Sequence, residues 1–365
     1  LMMGSGLFNT FTSLRLEMEH VSPEKIGMVS SAMYVGILIG SLKIDRWISK
    51  VGHIFSFVVF ALSLALLVLL QSLWIHPLYW SCLRLLGGIS IAGVFIVIES
   101  WFLMTSPPNM RGSALSIYLA VLYCALSLGQ LLINVSDPRS MFPFLTIAAL
   151  IGFSVLPLTV RKIASPQLSA APVQLNLLQL IRLSPLGFLG GIVSGIVLAV
   201  TYGIIPVFAN GIGMSLSEIG TFMATIIFGG FLMQMPVARF ADRGNRRLVI
   251  RVVSLITALL CLLLATLEKS LWLYILAFFF GGFSFTLYPV SMAYTCEKVK
   301  ESEIVAATGG FVLSYGVGAI LGPLLAPLSM LYFGSSGIFY FLATISLILA
   351  SSTLLKSPSK QREVD

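Results

Sequence analysis

Apolar runs of about 20 residues recur along almost the whole chain, separated by short polar breaks. A helix rises 1.5 Å per residue, so about 20 apolar residues reach across ~30 Å of hydrocarbon. Twelve runs have that length, near 1 to 16, 25 to 43, 54 to 72, 79 to 103, 112 to 134, 141 to 160, 185 to 209, 216 to 238, 248 to 267, 270 to 295, 304 to 328 and 336 to 355. Lipid offers backbone groups no hydrogen-bonding partner, which selects the helix over open strands. The pattern predicts an all-α membrane protein of twelve transmembrane helices.

Two polar breaks are basic and resemble each other. Segment 234–247 reads QMPVARFADRGNRR, and segment 40–53 reads GSLKIDRWISKVGH, each with an Asp-Arg pair between apolar runs. Other anchors recur at nearly one offset. Residues 22–27 (SPEKIG) match 215–220 (SLSEIG) at a shift of 193, as Gly129 matches Gly322; Gly87-Gly88 matches Gly281-Gly282 at 194 and Asp45-Arg46 matches Asp242-Arg243 at 197. The chain therefore reads as two six-helix bundles in tandem, of parallel topology because six is even. The expected divisions are an N-terminal bundle over 1–160, a cytoplasmic linker over 161–183, a C-terminal bundle over 184–356 and a cytoplasmic tail over 357–365. The repeat places Leu1 opposite Ser194, whereas the seventh run begins near Pro185, so helix 1 is expected to lack about nine residues at its N-terminus.

Composition agrees. The chain is 58% hydrophobic and 10% charged, against roughly 25% charged in soluble domains. The net charge of +8 raises nucleic acid as a partner, but its distribution excludes it: 17 of the 22 Lys and Arg residues fall on one side of the predicted membrane, leaving Arg15, Lys25, Arg84, Arg139 and Lys269. By the positive-inside rule both termini and both basic breaks are cytoplasmic. A multi-pass protein of the bacterial inner (plasma) membrane is expected, monomeric, its partners membrane lipids and a small-molecule substrate. Cys82, Cys124, Cys261 and Cys296 are scattered and read as packing residues. His20, His53 and His76 fall between runs and no buried carboxylate pair is evident, so no enzyme site, metal site or cofactor is expected.

At this point the residues carry a family resemblance over the whole chain. Twelve helices in two repeats, with basic Asp-Arg turns after helices 2 and 8, resemble the major facilitator superfamily. Gln234, Pro236, Arg239, Asp242, Arg243, Arg246 and Arg247 follow that family's cytoplasmic-loop motif, with Gly244-Asn245 inverted; the first copy, Gly40, Asp45 and Arg46, departs more. Arg84 and Gly88 form the RxxxG of its fourth-helix motif, and Glu99-Ser100-Trp101, 129–132 (GQLL) and 285–290 (FTLYPV) are similar to the YcaD-like bacterial branch. The resemblance implies a transporter, with Asp242 gating the cytoplasmic side by holding a helix N-terminus or a loop arginine across the halves. The family's antiporter signature, Gly-Pro in helix 5, is absent, since Gln130 follows Gly129.

Ionisable residues inside membrane spans are expensive and generally face a cavity. Arg84, without an acidic residue deep in that half of the helices, suits an anionic or zwitterionic substrate; the alternative is snorkelling to the interface. Glu99 lies fifteen residues, ~22 Å, along the same helix. It is a candidate for proton coupling, with H+ as coupling ion, or for an inner ion pair with Arg111. Helix 5 presents Ser116, Tyr123, Ser127, Gln130 and Asn134 on one face, and helix 10 presents Ser284, Tyr288, Ser291 and Thr295. The serines and threonines read as packing. Tyr123, Gln130, Tyr288 and Asn9 are cavity candidates, with Tyr34, Tyr202 and Tyr315 at mid-span. The functional expectation is a secondary active transporter moving a small organic solute by alternating access, coupled to protons; the alternative is efflux of amphipathic drugs or lipids.

Overall fold

The computed structural model describes residues 1–105, 111–134, 137–157, 181, 184–299 and 304–355, without the side chains of 43, 45, 46, 102–105, 111–116 and 304–306. The expected linker therefore lies almost wholly outside the described residues. No strand occurs among them. The helices are α1 (Met2–Met18), α2 (Pro23–Val51), α3 (His53–Gln71), α4 (Pro77–Thr105), α5 (Arg111–Leu131), α6 (Phe142–Gly152), α7 (Pro185–Gly203), α8 (Ile205–Gly211), α9 (Leu216–Arg243), α10 (Arg246–Thr266), α11 (Leu271–Ser284), α12 (Leu287–Glu297), α13 (Ile304–Phe333) and α14 (Gly337–Ser352). Nine segments among the described residues are long and apolar enough to cross a membrane. The last of these, Ala307–Ser352, contains both α13 and α14, whereas Phe142–Val155 and the 17-residue α1 are shorter.

The basic breaks are helix ends rather than long turns. α2 continues through Asp45 and Arg46 to Val51, and only Gly52, at φ 86°, reverses the chain before His53 opens α3. Positive φ is a conformation glycine adopts without a Cβ penalty. α9 likewise runs to Arg243, leaving Gly244 and Asn245 as the turn; the Asn245 side chain accepts from Arg247 N–H and caps α10. The end of the bundle with Arg243 is the basic face, and the end where Ser22 and Ser215 start α2 and α9 is the opposite face.

Within each half, helices cross through glycines. A Cβ on Gly36 would meet the Leu85 carbonyl, and one on Gly88 the Met33 carbonyl, so α2 and α4 approach backbone to backbone. In the second half Gly229 meets the Phe278 carbonyl and Gly281 the Ile226 carbonyl, joining α9 to α11. All four pairs are related by a shift of 193. The structure therefore corrects one sequence anchor: Gly88 corresponds to Gly281, not to Gly282. Small residues permit this approach where lipid removes the hydrophobic drive between helices.

Two spans are broken by proline chemistry. Pro206 lacks the N–H that would bond the carbonyl of Tyr202, and Val207 N–H bonds Ile204 instead of Gly203, separating α7 from α8. Pro289 similarly follows the break between α11 and α12, where the Thr286 hydroxyl donates to the Phe283 carbonyl at 2.6 Å. Freed carbonyls in a membrane need replacement donors, and such discontinuities commonly mark binding sites.

Candidate functional site

The two halves are sealed together toward the opposite face by contacts with pseudo-two-fold symmetry. Gly27 of α2 packs on the Pro323 carbonyl of α13, and its counterpart Gly220 of α9 packs on the Gln130 carbonyl of α5. The Ser31 hydroxyl donates to the Ile320 carbonyl at 2.7 Å, and Ser127 donates to the counterpart Ala224 carbonyl at 3.0 Å. The Pro323 carbonyl is open to Gly27 because residue 327 is proline and has no N–H for it. Ser13 of α1 donates to the Gly203 carbonyl at 2.7 Å, supplying the partner lost at the break of α7. α1 also extends two residues past its expected end and so includes Glu17, a half-buried carboxylate against Asn210 of α8.

Among the described residues, these hydrogen bonds and glycine contacts lie between mid-span, where Leu38 of α2 meets Gly316 of α13, and the opposite face. Toward the basic face, Gly309 of α13 has open space where a Cβ would sit. Glu99 of α4 is exposed, yet it is an electrostatic neighbour of Tyr118 on α5 and of Tyr288 on α12, in the other half.

Arg84 is the eighth residue of α4, toward the opposite face. It is 3% exposed, its Nη2 donates to Asn9 Oδ1 at 2.9 Å, and its guanidinium lies 4.7 Å from the centre of the Phe8 ring. Its Nε and Nη1 are enclosed without a hydrogen-bond partner. Every ion pair among the described residues is elsewhere: Arg15 with Glu19, Arg246 with Asp242 and Glu297, and Lys269 with Glu218. A cation over a ring is partly compensated, but a buried guanidinium with unmet donors calls for an anion. Snorkelling to the interface is not its arrangement.

The tyrosines neighbour one another from both halves, and Tyr34 adjoins Arg84. Tyr34 of α2 neighbours Arg84 electrostatically and also Tyr202 of α7 and Tyr315 of α13. Phe285, in the break between α11 and α12, lies 6.4 Å from Tyr123 of α5 and 6.2 Å from Tyr202; Tyr288 meets Phe311 edge-on at 5.3 Å and Tyr315 at 5.0 Å. None of the hydroxyls of Tyr34, Tyr123, Tyr202, Tyr288 and Tyr315 makes a hydrogen bond among the described residues, and none is enclosed. Sequence periodicity did not single out Phe8, Phe285 or Phe311 as site residues. The nearest signals were Pro206 and Pro289, which mark the breaks.

Gln130 departs from its expected cavity position. It is fully buried, accepts from Thr10 at 2.6 Å and donates to the Gly6 carbonyl at 2.9 Å, so its amide knits α5 to α1. Ser291 and Thr295 fill space over Gly190 and Gly187 of α7, in agreement with packing. Gly40 packs on Ala92 and Ile89 of α4. His53 opens α3 as a buried residue, its Nε2 3.1 Å from Ser100 Oγ, rather than lying in a loop.

At the basic face, Asp242 is 70% exposed and pairs at 3.2 Å with Arg246 of its own half. Arg246 also donates to the Ala293 carbonyl and faces Glu297, tying α9, α10 and α12. Arg239 and Arg243 are exposed, as is Pro236, which α9 carries in its interior; Gln234 is half-buried. The side chains of Asp45, Arg46 and Arg111 lie outside the described residues, as does any Glu99–Arg111 pair. Arg247 takes a structural position: its Nε donates to the Thr353 carbonyl at 2.9 Å and its Nη2 to Leu355, while Arg251 Nε donates to Thr353 Oγ1 at 2.8 Å and its Nη2 to the Thr353 carbonyl at 3.1 Å. The two arginines cap the C-terminal end of α14, where helix carbonyls lack donors. Arg247→Ala with Arg251→Ala should cost about 2 kcal/mol, seen as a lower melting midpoint and faster proteolysis after Ser352.

Comparison with known proteins follows this geometry. The family model for the Major Facilitator Superfamily matches residues 1–187 and 187–365, one copy on each half. An uncharacterized MFS-type transporter YcaD of Escherichia fergusonii is 33% identical over 352 residues, covering 95% of this chain and 91% of that protein. The Shigella flexneri protein of the same description is 33% identical over 358 residues with the same coverage. Among solved structures, the nucleoside transporter NupG superposes with a TM-score of 0.82 at 13% identity, covering 97% of this chain and 96% of that one. A D-xylose-proton symporter superposes at 0.78 with 14% identity, covering 99% and 97%.

Proposed function

Because the chain belongs to the major facilitator superfamily, and is thus an integral membrane transporter rather than an enzyme, we propose that it moves a small organic anion across the bacterial inner membrane by alternating access. Its two six-helix bundles, twelve spans in all, rock about the Arg84 site. The basic face is cytoplasmic, so the arrangement described is inward-facing, with Asp242 released from its gating partner and the seal of Gly27, Ser31, Ser127 and Gly220 closing the outer side. The observation that carries the reading is the buried guanidinium of Arg84, which among the described residues has no carboxylate partner and whose Nε and Nη1 make no hydrogen bond. Glu99, accessible at the inner mouth, carries the coupling proton.

Protein reconstituted into liposomes loaded with an organic anion is expected to exchange labelled anion by counterflow. Arg84→Ala should reduce that exchange by about 10- to 100-fold, the worth of a charge-assisted hydrogen bond, with the melting profile retained. Exchange undiminished in folded Arg84→Ala overturns the anion reading. Glu99→Gln is expected to keep counterflow and lose accumulation driven by a proton gradient; a variant that still concentrates substrate against its gradient removes Glu99 from coupling. The sign of accumulation in cells separates uptake from efflux.

A further inference from the structure

Charge and ring distribution around Arg84 narrow the substrate. Among the described residues, α7, α8, α11 and α13 contain no Asp, Glu, Lys, Arg or His, and α12 has only Glu297 at its basic-face end. The C-terminal half thus meets the substrate with rings and small residues and without a charge. On the N-terminal side Arg84 is the eighth of the 29 residues of α4. Glu99 lies ~22 Å along α4, and Glu17 lies eight residues beyond Asn9, ~12 Å along α1 and inside the seal. The other buried arginine among the described residues, Arg15 of α1, is already paired with Glu19, so no free second cation serves a dicarboxylate, and no ion pair among them places a carboxylate at Arg84 for an ammonium group. The Asn9 carbonyl accepts from Arg84 and the Gln130 amide is taken by Thr10 and Gly6, which leaves the tyrosine hydroxyls as the polar groups among the rings.

What remains is one buried cation without a carboxylate partner among the described residues, Arg84, together with an array of rings. Tyr34 links the two electrostatically, being coupled both to Arg84 and to Tyr202 and Tyr315. Rings pack favourably offset or edge-on at centroid separations of 4.5–7 Å, the spacing already present between Phe285 and its two tyrosines and between Tyr288, Phe311 and Tyr315. The five tyrosine hydroxyls add donors and acceptors at the rim. We infer that the substrate is an aromatic monocarboxylate: its carboxylate engages Arg84 and its flat ring lies among Tyr34, Tyr202, Phe285, Tyr288 and Tyr315, contributed by both halves. The inference rests on the transport-site reading above and specifies its cargo.

Binding to purified protein is measured by thermal shift and calorimetry with benzoate and 3-phenylpropanoate, against benzamide, acetate, phthalate and phenylalanine. The aromatic monocarboxylates are expected to stabilise the protein in a concentration-dependent way. Benzamide, lacking the charge, and acetate, lacking the ring, should each bind at least about 10-fold more weakly. Arg84→Gln should weaken benzoate about 10- to 100-fold and leave benzamide unchanged, while Phe285→Leu should weaken both ring compounds. Equal binding of benzamide or acetate overturns the inference, as does preference for phthalate or phenylalanine, or no stabilisation by any aromatic acid. These comparisons hold on the wild-type protein even where a variant fails to fold. Counterflow separates the two levels: Arg84-dependent exchange of an aliphatic or doubly charged anion alone refutes the aromatic assignment and leaves the transporter, whereas Arg84-dependent benzoate binding without exchange of any anion refutes the transport-site reading.

Discussion

Gly27→Val is expected to abolish transport while leaving a folded protein. In the sealed arrangement a Cβ at position 27 would collide with the Pro323 carbonyl oxygen and approach Pro327 Cγ to 3.2 Å. Both are parts of helix α13 and cannot rotate away as a flexible side chain would. The contact joins the two halves, so the clash exists only when the opposite face is closed. A one-state penalty of about 3 kcal/mol, typical of overpacking, shifts a two-state equilibrium by about 100-fold. The protein should then populate the arrangement open at the opposite face, and turnover should fall by a similar factor. A cysteine at Ser30 or Ser31, both buried in the seal, reports this directly: it should become reactive to a membrane-impermeant thiol reagent in the Gly27→Val background. Gly220→Val, the symmetry-related change against the Gln130 carbonyl, should behave alike. Normal counterflow in folded Gly27→Val would show that the seal does not form part of the cycle.

Gly88→Val has the opposite signature. Its Cβ would strike the Met33 carbonyl and crowd Gly36 Cα, contacts between α2 and α4 inside one half. In the proposed cycle that half moves as a body, so the clash is present in every state and the penalty falls on folding itself. The expected result is loss of about 3 kcal/mol or more and little or no monodisperse protein, with Gly281→Val equivalent through the Ile226 carbonyl. Size-exclusion chromatography and the melting midpoint distinguish this from Gly27→Val, which should elute and melt near wild type. Gly152, with nothing near its Cβ position, is the control: Gly152→Ala should leave both properties unchanged.

How much of this was legible in the chain differs between residues for physical reasons. Arg84 could be recognised because a charge inside an apolar run is costly wherever the run packs. Glycines at a shared offset could be recognised because duplication preserves the crossings they form, although the structure moves one anchor by a residue. Tyr123 and Gln130 show the boundary. They share a helical face of α5, yet Tyr123 lies beside Phe285 with its hydroxyl unengaged, whereas Gln130, two turns on, is enclosed between α5 and α1. Periodicity places both on one side of a helix; which neighbour covers each depends on the tilt of α1 against α5, a property of neither sequence segment alone. Glu17 was missed for a smaller reason, since α1 continues two residues beyond the apolar run. Arg247 looked like its companions in the basic motif, but only the position of the end of α14 makes it a cap.

The sequence by itself determined the membrane-spanning helical class, the two-fold repeat, the basic face and the isolated cation, because each follows from local composition or from a pattern the lipid and the duplication impose. Tertiary structure alone decided which glycines join the halves and which hold one half together, which polar groups are already engaged, and which rings meet one another. Those depend on distances between segments far apart in the chain, and packed backbones meeting at a carbonyl oxygen set them to within a fraction of an ångström.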